Sequence, residues 1–504
     1  MAPSLGYTVT VLCGWHLMVF LFPLVHRILS VSSRSPYPAN ALRRFLATTQ
    51  RRISMVDTSR IDSLEAQEWP APAAQMKSAR EFIKLCAASG SRTLLLPDKD
   101  ADGLCSGLVV YHTLLHLGLD STLVSVHFPA KGSNIHAQAE RDAIARYGAA
   151  FIIVTDQGSR GGPPIVDSSD ANPVKTLILD HHWSTAFPEG ALVCTAAHCP
   201  PIATSATLAY EVCLPLAKEH AQKHGPKPSA LREKLEYLCA MGTMGDLGTS
   251  FKWEPPFPDM RDCLKKWTKK VLGEAIGLLN APRRSAEYDV ETAWRALLNV
   301  SSPRDLLDPS SNQDIRRLYA ARAGVKAEVD RCARRPPTFS GDGRIALIRI
   351  SSPAQIHPLI ATRWSSSLKG ARLEVVMCSN DGYTPGMTNF ACRIARAGGG
   401  VARAGTKRKA DGGQEGDHET NIIAILKEYA GRVPGLRESM GDDFARGHKQ
   451  ASGGIVRTED FERLWEAMLN SQIEQGDLPV KRRKVAGKGL PAQKNTLEGW
   501  FKKA

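Results

Sequence analysis

The sequence predicts an α/β protein in which a doubly wound, mostly parallel sheet is joined by a helical connector to a smaller α/β domain, with disordered tails. Two observations favour this fold class. Short apolar runs alternate with amphipathic segments of helical length from residue 94 onward, and a second stretch of the same kind begins near residue 344. Such alternation is typical of a parallel sheet covered by helices.

The first α/β region contains six predicted elements. Apolar runs that end in acidic or glycine-rich turns predict strands at 94–98, 121–128, 151–158 and 176–182, and the segments between predict helices at 103–119 and 136–148. In a doubly wound sheet, ligands bind beyond the carboxyl ends of the strands. Because acids or histidines directly follow three of these strands, we expect them to meet at one edge of the sheet.

The rest of the chain is divided by its composition. A long, exposed, basic helix is predicted within 303–335, and further strands at 344–351 and 371–379. The predicted organisation is an N-terminal extension at 1–60, a first domain at 75–250, a helical connector at 251–335, a second domain at 340–470 with a disordered insertion at 396–420, and a basic tail at 479–504.

The net charge of +14 is concentrated at the two ends of the 504-residue chain. Residues 1–54 contain six arginines and no acid, and residues 479–504 contain eight lysines and arginines against one glutamate. The part between them is nearly neutral, so a polyanion site has to be a local feature. Eleven cysteines without a repeating spacing favour a reducing compartment over a disulfide scaffold.

The N-terminal extension allows three interpretations. Residues 7–24 are mostly apolar and long enough for a membrane anchor. Residues 27–54 are rich in arginine and serine and free of acid, as in a mitochondrial targeting sequence. Alternatively, Met55 is the true first residue, or the segment is a disordered extension.

Four short motifs carry the candidate chemistry, and each places carboxylates after an apolar run. In order they supply Asp98, Asp100 and Asp102; Asp156; Asp180, His181 and His182; and Asp246. Gathered at one sheet edge, these groups would repel one another unless cations lay among them. Carboxylates and imidazoles suit divalent cations, and two such ions about 3.5–4 Å apart are typical of hydrolases that act on phosphoesters.

In their order along the chain, the motifs resemble those of the DHH phosphoesterase superfamily. LLLPDKDADGLCSG resembles the first motif, IIVTDQGSRGG the second, LILDHH the third and LCAMGTMGDLG the fourth. The D-x-D-x-D-G spacing resembles the RecJ-like single-strand exonuclease branch. In the second domain, QIHPLIATRW, TNFACRIAR and ARGHKQASGG resemble segments of the DHH-associated domain of RecJ-like proteins.

The resemblance implies a role for each motif residue. Ligands for two Mn²⁺ or Mg²⁺ ions are implied at Asp100, Asp102, Asp156, His181 and Asp246, with Asp156 as the bridging carboxylate. Catalytic roles are implied for Asp98 as an outer ligand or orienting base, Asp180 as the partner that fixes an imidazole tautomer, and His182 as a contact to the scissile phosphate. Substrate binding is implied for Arg393, Gly447, His448, Lys449, Gly453 and Gly454.

The resemblance therefore implies a divalent-metal-dependent single-strand exonuclease of DNA replication or repair. Two departures keep other functions open: the loop before Gly447 has fewer glycines than the family pattern, and FPAKGSNIHA replaces a basic stretch. The first alternative is a short-oligonucleotide (nanoRNase-like) or nucleotide phosphodiesterase. The second is a replication factor that keeps the fold without the chemistry. The expected substrate is single-stranded nucleic acid, and no membrane partner is expected.

The basic tail carries two further motifs. Lys481, Arg482, Arg483 and Lys484 form a patch typical of nuclear localisation signals, which predicts a nuclear import receptor as partner and the nucleus as location. The mitochondrion is the alternative if the N-terminal extension is real. Leu497, Trp500 and Phe501 have the spacing of the sliding-clamp (PCNA) interaction peptide, whose apolar side chains share one face of a short helical turn.

Overall fold

The computed structural model of the chain describes residues 68–169, 173–224, 229–396, 420–441 and 444–472. The extension 1–60, nearly all of the insertion 396–420 and the tail 479–504 lie outside the described residues, and so do the nuclear signal and the clamp-binding peptide. Among the described residues, no helix combines the length and the apolar character that crossing a bilayer requires.

The first sheet has five parallel strands in the order β2-β1-β3-β4-β5. They are β1 (Thr93–Pro97), β2 (Val124–Val126), β3 (Phe151–Thr155), β4 (Lys175–Asp180) and β5 (Leu192–Thr195). The inner strands β1 and β3 are buried along their whole length. Their uninterrupted apolar runs fit this position, because helices cover both faces of a parallel sheet. The predicted doubly wound α/β fold is confirmed.

Five helices accompany this sheet: α1 (Ala73–Ser89), α2 (Ala101–His116), α3 (Gln138–Ala145), α4 (Ser205–His224) and α5 (Ser229–Leu247). Helix α2 packs against both α4 and α5. It is buried over most of its length, which explains why its sequence is apolar on nearly every face. The first turns of α2 and α4 and the last turn of α5 surround the predicted site.

Two strands of the first lobe, which consists of this sheet and its helices, differ from the sequence prediction. The predicted strand 121–128 is a 3₁₀ turn at Ser121–Leu123 followed by the three-residue β2, because the Asp120 carboxylate accepts a hydrogen bond from the Thr122 amide at 2.9 Å and stabilises the turn. Strand β5 was not predicted. It has only four residues, and only its last two are buried, so its apolar signal is weak.

The predicted connector contributes to the first core. Its helices are α6 (Arg261–Trp267), α7 (Lys269–Leu279), α8 (Val290–Asn299) and α9 (Gln313–Cys332). Buried side chains from α7, α8 and α9, among them Leu279, Trp294 and Leu318, belong to the same apolar cluster as the first sheet. Helix α9 is the predicted basic helix, and the Asn312 side chain caps its first turn by accepting from the Ile315 amide at 2.8 Å.

The second sheet has six strands in the order β10-β11-β9-β8-β7-β6, with β7 and β8 parallel and the other pairs antiparallel. They are β6 (Thr338–Phe339), β7 (Ile345–Ile350), β8 (Val375–Thr384), β9 (Met387–Ile394), β10 (Arg446–His448) and β11 (Ala451–Arg457). Alternate residues of β7 and β8 enter different apolar clusters, because successive side chains point to opposite faces of a strand. Helices α11 (Ile422–Gly431), α12 (Leu436–Met440) and α13 (Thr458–Leu469) cover one face, and α10 (His357–Ser365) covers the other.

Lys131 connects the two sheets to the connector. Its ammonium group donates hydrogen bonds to the Pro353 carbonyl at 2.5 Å and to the Ala286 carbonyl at 3.2 Å. It also lies over the Tyr383 ring, 4.7 Å from the centroid, where a cation is attracted to the ring face. Lys131 of the first lobe therefore contacts both the connector and the second lobe, which consists of the six-stranded sheet and its helices.

Candidate functional site

The candidate site lies where the strand order of the first sheet reverses. β1 and β3 are neighbours, with β2 on one side and β4 on the other, and ligand sites of doubly wound sheets form beyond the carboxyl ends of the strands at such a reversal. Asp98 follows β1, Asp156 follows β3, and Asp180 ends β4. The Asp98 amide donates to the Thr155 carbonyl at 2.9 Å, which ties the first two loops together.

The first motif forms a tight strand-to-helix turn. The Asp100 carboxylate accepts from the Asp102 and Gly103 amides at 3.1 and 3.3 Å and so caps α2. A Cβ on Gly103 would lie 2.4 Å from the Asp98 carbonyl oxygen, so only glycine fits this turn. The alternating aspartates predict an extended segment on which all three carboxylates converge, but α2 begins at Ala101. Asp98 and Asp100 share one group of candidate ligands, whereas Asp102 belongs to a different group.

Asp102 lies on α2 and is fully buried against the first residues of α4. Its two oxygens accept from the Ser205 amide at 2.8 Å and the Ala206 amide at 3.0 Å, where the helix dipole favours negative charge. Burial and the nearby Asp246 carboxylate nevertheless raise the pKa of Asp102 to about 7. The protein groups around Asp102 therefore only partly stabilise its ionised form.

Asp156 has a backbone conformation that is uncommon for a residue with a side chain. Its φ is +63°, in the left-handed region. The carboxylate accepts from the Ser205 hydroxyl at 2.9 Å. Burial first, and then the charges of Asp102 and Asp100, raise the pKa of Asp156 well above its usual range. A strained residue whose acid is kept among other acids is typical of a functional site.

The third motif has two differently arranged imidazoles. His182 Nδ1 lies 2.8 Å from the Asp180 carboxylate, which also accepts from the His181 amide at 2.7 Å and the Ser159 amide at 3.1 Å. These bonds outweigh burial and keep the pKa of Asp180 below its usual value. Asp180 thus fixes the loop and the His182 ring, whose side chain is half-exposed.

His181 is buried, and its ring nitrogen lies among carboxylates. Nε2 is 3.2 Å from an oxygen of Asp156, 3.2 Å from one of Asp246 and 3.9 Å from one of Asp102. Despite these distances, Nε2 makes no hydrogen bond to any residue that the structure describes. A buried ring nitrogen beside three carboxylate oxygens is the donor set that a divalent cation prefers. The residues present therefore fit a metal ion.

Three overlapping groups could each hold one ion, because one donor atom per residue lies within 4.8 Å of the others. The groups are Asp98, Asp100 and Asp156; Asp102, His181 and Asp246; and Asp156, His181 and His182. Asp156 and His181 each belong to two groups. Together with Asp180, which holds the His182 ring, all eight motif residues that the sequence analysis selected in the first lobe are therefore brought together.

Comparison with known proteins assigns the first lobe. Residues 92–243 match the DHH family, N-terminal domain. This segment is a DHH domain. The match includes the first three motifs and ends three residues before Asp246, which the fourth motif adds at the end of α5. No curated protein matches the sequence.

Solved structures of RecJ are similar over about four fifths of the chain. RecJ of Thermus thermophilus in complex with Mn²⁺ has a TM-score of 0.50 and 16% identity, over 80% of this chain and 56% of that chain. Exonuclease RecJ bound to manganese has a TM-score of 0.49 and 16% identity, over 79% of this chain and 94% of that chain. The Thermus structure shows the shared fold, and this chain spans just over half of its length.

Sequence reasoning missed residues from the connector that lie against the DHH domain. The Asn280 side-chain oxygen accepts from the Ala101 amide at 3.3 Å and from Arg283 Nε at 3.0 Å. Arg283 in turn lies 3.5 Å from the Asp100 carboxylate. Burial and the neighbouring Arg283 lower the pKa of Arg284 to about 9. The sequence signal for these residues is the pair of arginines after Pro282. It lies in the connector and not at the end of a strand, where the sequence analysis looked for functional residues.

The second lobe holds the remaining candidate residues. Arg393 is largely buried and donates to the Cys392 carbonyl at 2.8 Å, and its pKa is lowered by burial. A Cβ on Gly453 would lie 2.3 Å from the Phe390 carbonyl oxygen, so this glycine allows β11 to approach β9. Gly454 pairs with Phe390, Gly447 and His448 lie on β10, and Lys449 follows that strand. The substrate-binding role of this loop stays a prediction.

Proposed function

We propose that this protein is a divalent-metal-dependent phosphodiester hydrolase that acts on single-stranded nucleic acid, as an exonuclease resembling RecJ. The observation that supports it is the overlap of the ligand groups at Asp156 and His181, next to arginines from the connector. Acids that can share cations suit phosphoryl chemistry, and adjacent arginines suit phosphate groups.

Two ions would be held by different parts of the first lobe. Asp98, Asp100 and Asp156 would hold one, and Asp102, His181 and Asp246 the other, while the third group of Asp156, His181 and His182 shares a residue with each. When bound, divalent cations polarise a phosphoryl oxygen and lower the pKa of water. The N-terminus of α4 orients Asp102, and the Ser205 hydroxyl orients Asp156, so these carboxylates are positioned by the protein itself.

The side chains around the cations would hold the substrate. Because His182 Nδ1 contacts Asp180, its Nε2 is available to hydrogen-bond a phosphate oxygen. Arg283 and Arg284 would bind phosphates from the connector side, and Arg393 from the second lobe. Arg284 and Arg393 are close enough for the charge of Arg393 to lower the pKa of Arg284. The connector and the second lobe would therefore bind the same nucleic-acid strand.

The test is hydrolysis by the full-length protein with Mn²⁺, using end-labelled single strands of about 2 to 30 nucleotides as DNA and as RNA. We expect turnover that EDTA abolishes and that Asp156→Ala lowers by about 100-fold or more. The matched control is Asp167→Ala, because Asp167 is a strongly exposed acid of the same domain that pairs with Arg141. Turnover confined to dinucleotides would identify a short-oligonucleotide or nucleotide phosphodiesterase. No turnover with any strand would favour a non-catalytic replication factor.

We also propose that the protein works in the nucleus, bound to the sliding clamp, in DNA replication or repair. The support is the composition of the tail, with Lys481–Lys484 for import and Leu497, Trp500 and Phe501 for the clamp. A peptide of residues 488–504 should bind PCNA, and the double variant Trp500→Ala, Phe501→Ala should not. Equal binding of both peptides would reject the clamp proposal, and cytoplasmic retention of the full chain would reject the nuclear one.

A further inference from the structure

Trp183 directly follows the two histidines of the candidate site. Its side chain is 73% exposed, more than any other large apolar side chain that the structure describes. A tryptophan exposes a large apolar area to water in this position. The residue lies in the loop between β4 and β5.

The indole is held in place although it is exposed. Its ring makes an edge contact with the His198 imidazole, with centroids 4.5 Å apart and planes at 69°. His198 Nε2 lies 3.1 Å from the Ser184 carbonyl oxygen, and the Ser184 hydroxyl donates to the Ala186 carbonyl at 2.6 Å. An edge contact of this kind leaves most of the ring surface free. Trp183 therefore presents a positioned aromatic face to solvent.

Two other exposed apolar side chains are close in the sequence to residues of the same site. Six large apolar side chains of the described chain are exposed, and three of them are Trp183, Leu247 at 42% and Ile202 at 37%. Leu247 follows Asp246, and Ile202 lies three residues before Ser205, which binds both Asp102 and Asp156. Half of the exposed large apolar side chains therefore belong to the segments that also supply residues of the site, and exposed apolar surface is a feature of ligand-binding regions.

We propose that Trp183 is a stacking platform for one nucleobase of the single-stranded substrate. This inference rests on the proposed function and adds to it a contact to the base, whereas the cations and arginines contact phosphates. Proteins that bind single strands combine basic residues with aromatic side chains on which bases stack. Stacking on Trp183 tolerates any base, since every base has a π face, and it predicts little sequence preference at that nucleotide.

The experiment measures equilibrium binding of a fluorescent single strand of about 12 nucleotides whose phosphorothioate linkages slow its cleavage. We expect Trp183→Ala to raise the Kd by about tenfold and Trp183→Phe to raise it by less than about threefold, in line with the usual size of base stacking on aromatic residues. The matched control is Phe339→Ala, because Phe339 is another exposed aromatic at 43% that lies on β6 in the second lobe. Equal Kd values for wild type and Trp183→Ala would overturn the proposal.

A second measurement locates the stacked base. One nucleotide at a time is replaced by an abasic residue, and we expect one position to raise the Kd of the wild type by about tenfold without a further effect in Trp183→Ala. The same abasic loss in both proteins would overturn the proposal. Binding and hydrolysis fail separately: a protein that binds strands through Trp183 but does not cleave them contradicts the proposed function alone. A wild type that binds no strand overturns the stacking proposal.

Discussion

Gly242 is a position where a single added methyl group would disturb the site directly. A Cβ there would lie 2.3 Å from the Ala206 Cβ and 2.8 Å from an Asp102 carboxylate oxygen. Carbon atoms pack at about 3.5–4.0 Å, so Gly242→Ala would force α4 and α5 apart by about an ångström or more. The residue that moves, Ala206, donates its amide to Asp102.

The expected magnitude follows from two opposing effects. Overpacking costs about 1–3 kcal/mol, and replacing a helical glycine by alanine gains about 0.8–1 kcal/mol. We therefore expect Gly242→Ala to lower the free energy of unfolding by up to about 2 kcal/mol. Because an ångström of displacement in a catalytic group can cost about 100-fold, metal-dependent turnover should fall by a similar factor.

Gly324 provides the matched control. It lies inside α9, and a Cβ added there would meet nothing within 4 Å. Gly324→Ala should raise the free energy of unfolding by about 0.5–1 kcal/mol and leave turnover unchanged. Urea unfolding and kcat/KM measured on both variants test the reasoning together. A Gly242→Ala protein as stable and active as the wild type would refute it.

Three further predictions concern charge, pH and the contact between the lobes. Asp102→Asn should weaken Mn²⁺ binding, measured by calorimetry, by at least about tenfold, and unaltered affinity would contradict the ligand assignment. Burial and the nearby Arg393 lower the pKa of His357 from 6.5 to about 3. The neutral imidazole therefore contributes its full stabilisation when the pH is above 6.5, the pKa in the unfolded chain, and this stabilisation is lost as the pH falls toward the pKa of the folded protein. Unfolding free energies should drop by about 1.4 kcal/mol more from about pH 7.5 to about pH 5.5 in the wild type than in His357→Gln, and parallel curves would exclude this origin. Lys131→Ala removes both of its carbonyl contacts and should increase the radius of gyration in X-ray scattering, unlike Lys175→Ala on the first sheet; identical scattering would show that Lys131 does not hold the lobes.

The sequence was sufficient for features that depend on position along a strand. Asp98, Asp156 and Asp180 could be placed at one edge because parallel strands bring their carboxyl ends together. The uninterrupted apolar runs predicted strands at β1 and β3, and their burial between covering helices explains why the runs have no polar alternation. These conclusions need only local patterns and one topological rule, and the structure and the family match agree with the fold they imply.

Features that depend on contacts between distant segments were not visible. Asp102 is bound by the main chain of Ser205 and Ala206, more than a hundred residues along the chain, and an amide carries no sequence signal. Arg283 contacts Asp100 from the connector. The composition of this segment predicts only a helical connection between two domains. The three-aspartate motif suggested an extended segment, whereas the capping hydrogen bonds of Asp100 favour an early helix start.

The attachment of Asp102 to the start of α4 has a consequence for assembly. Two main-chain amides and a helix terminus already compensate part of its negative charge. The pocket can consequently acquire its shape before any ion enters it, and loading becomes a separate event from folding. Chelation followed by resupply of Mn²⁺ should then restore metal-dependent turnover within the time of ion exchange, without unfolding and refolding of the chain.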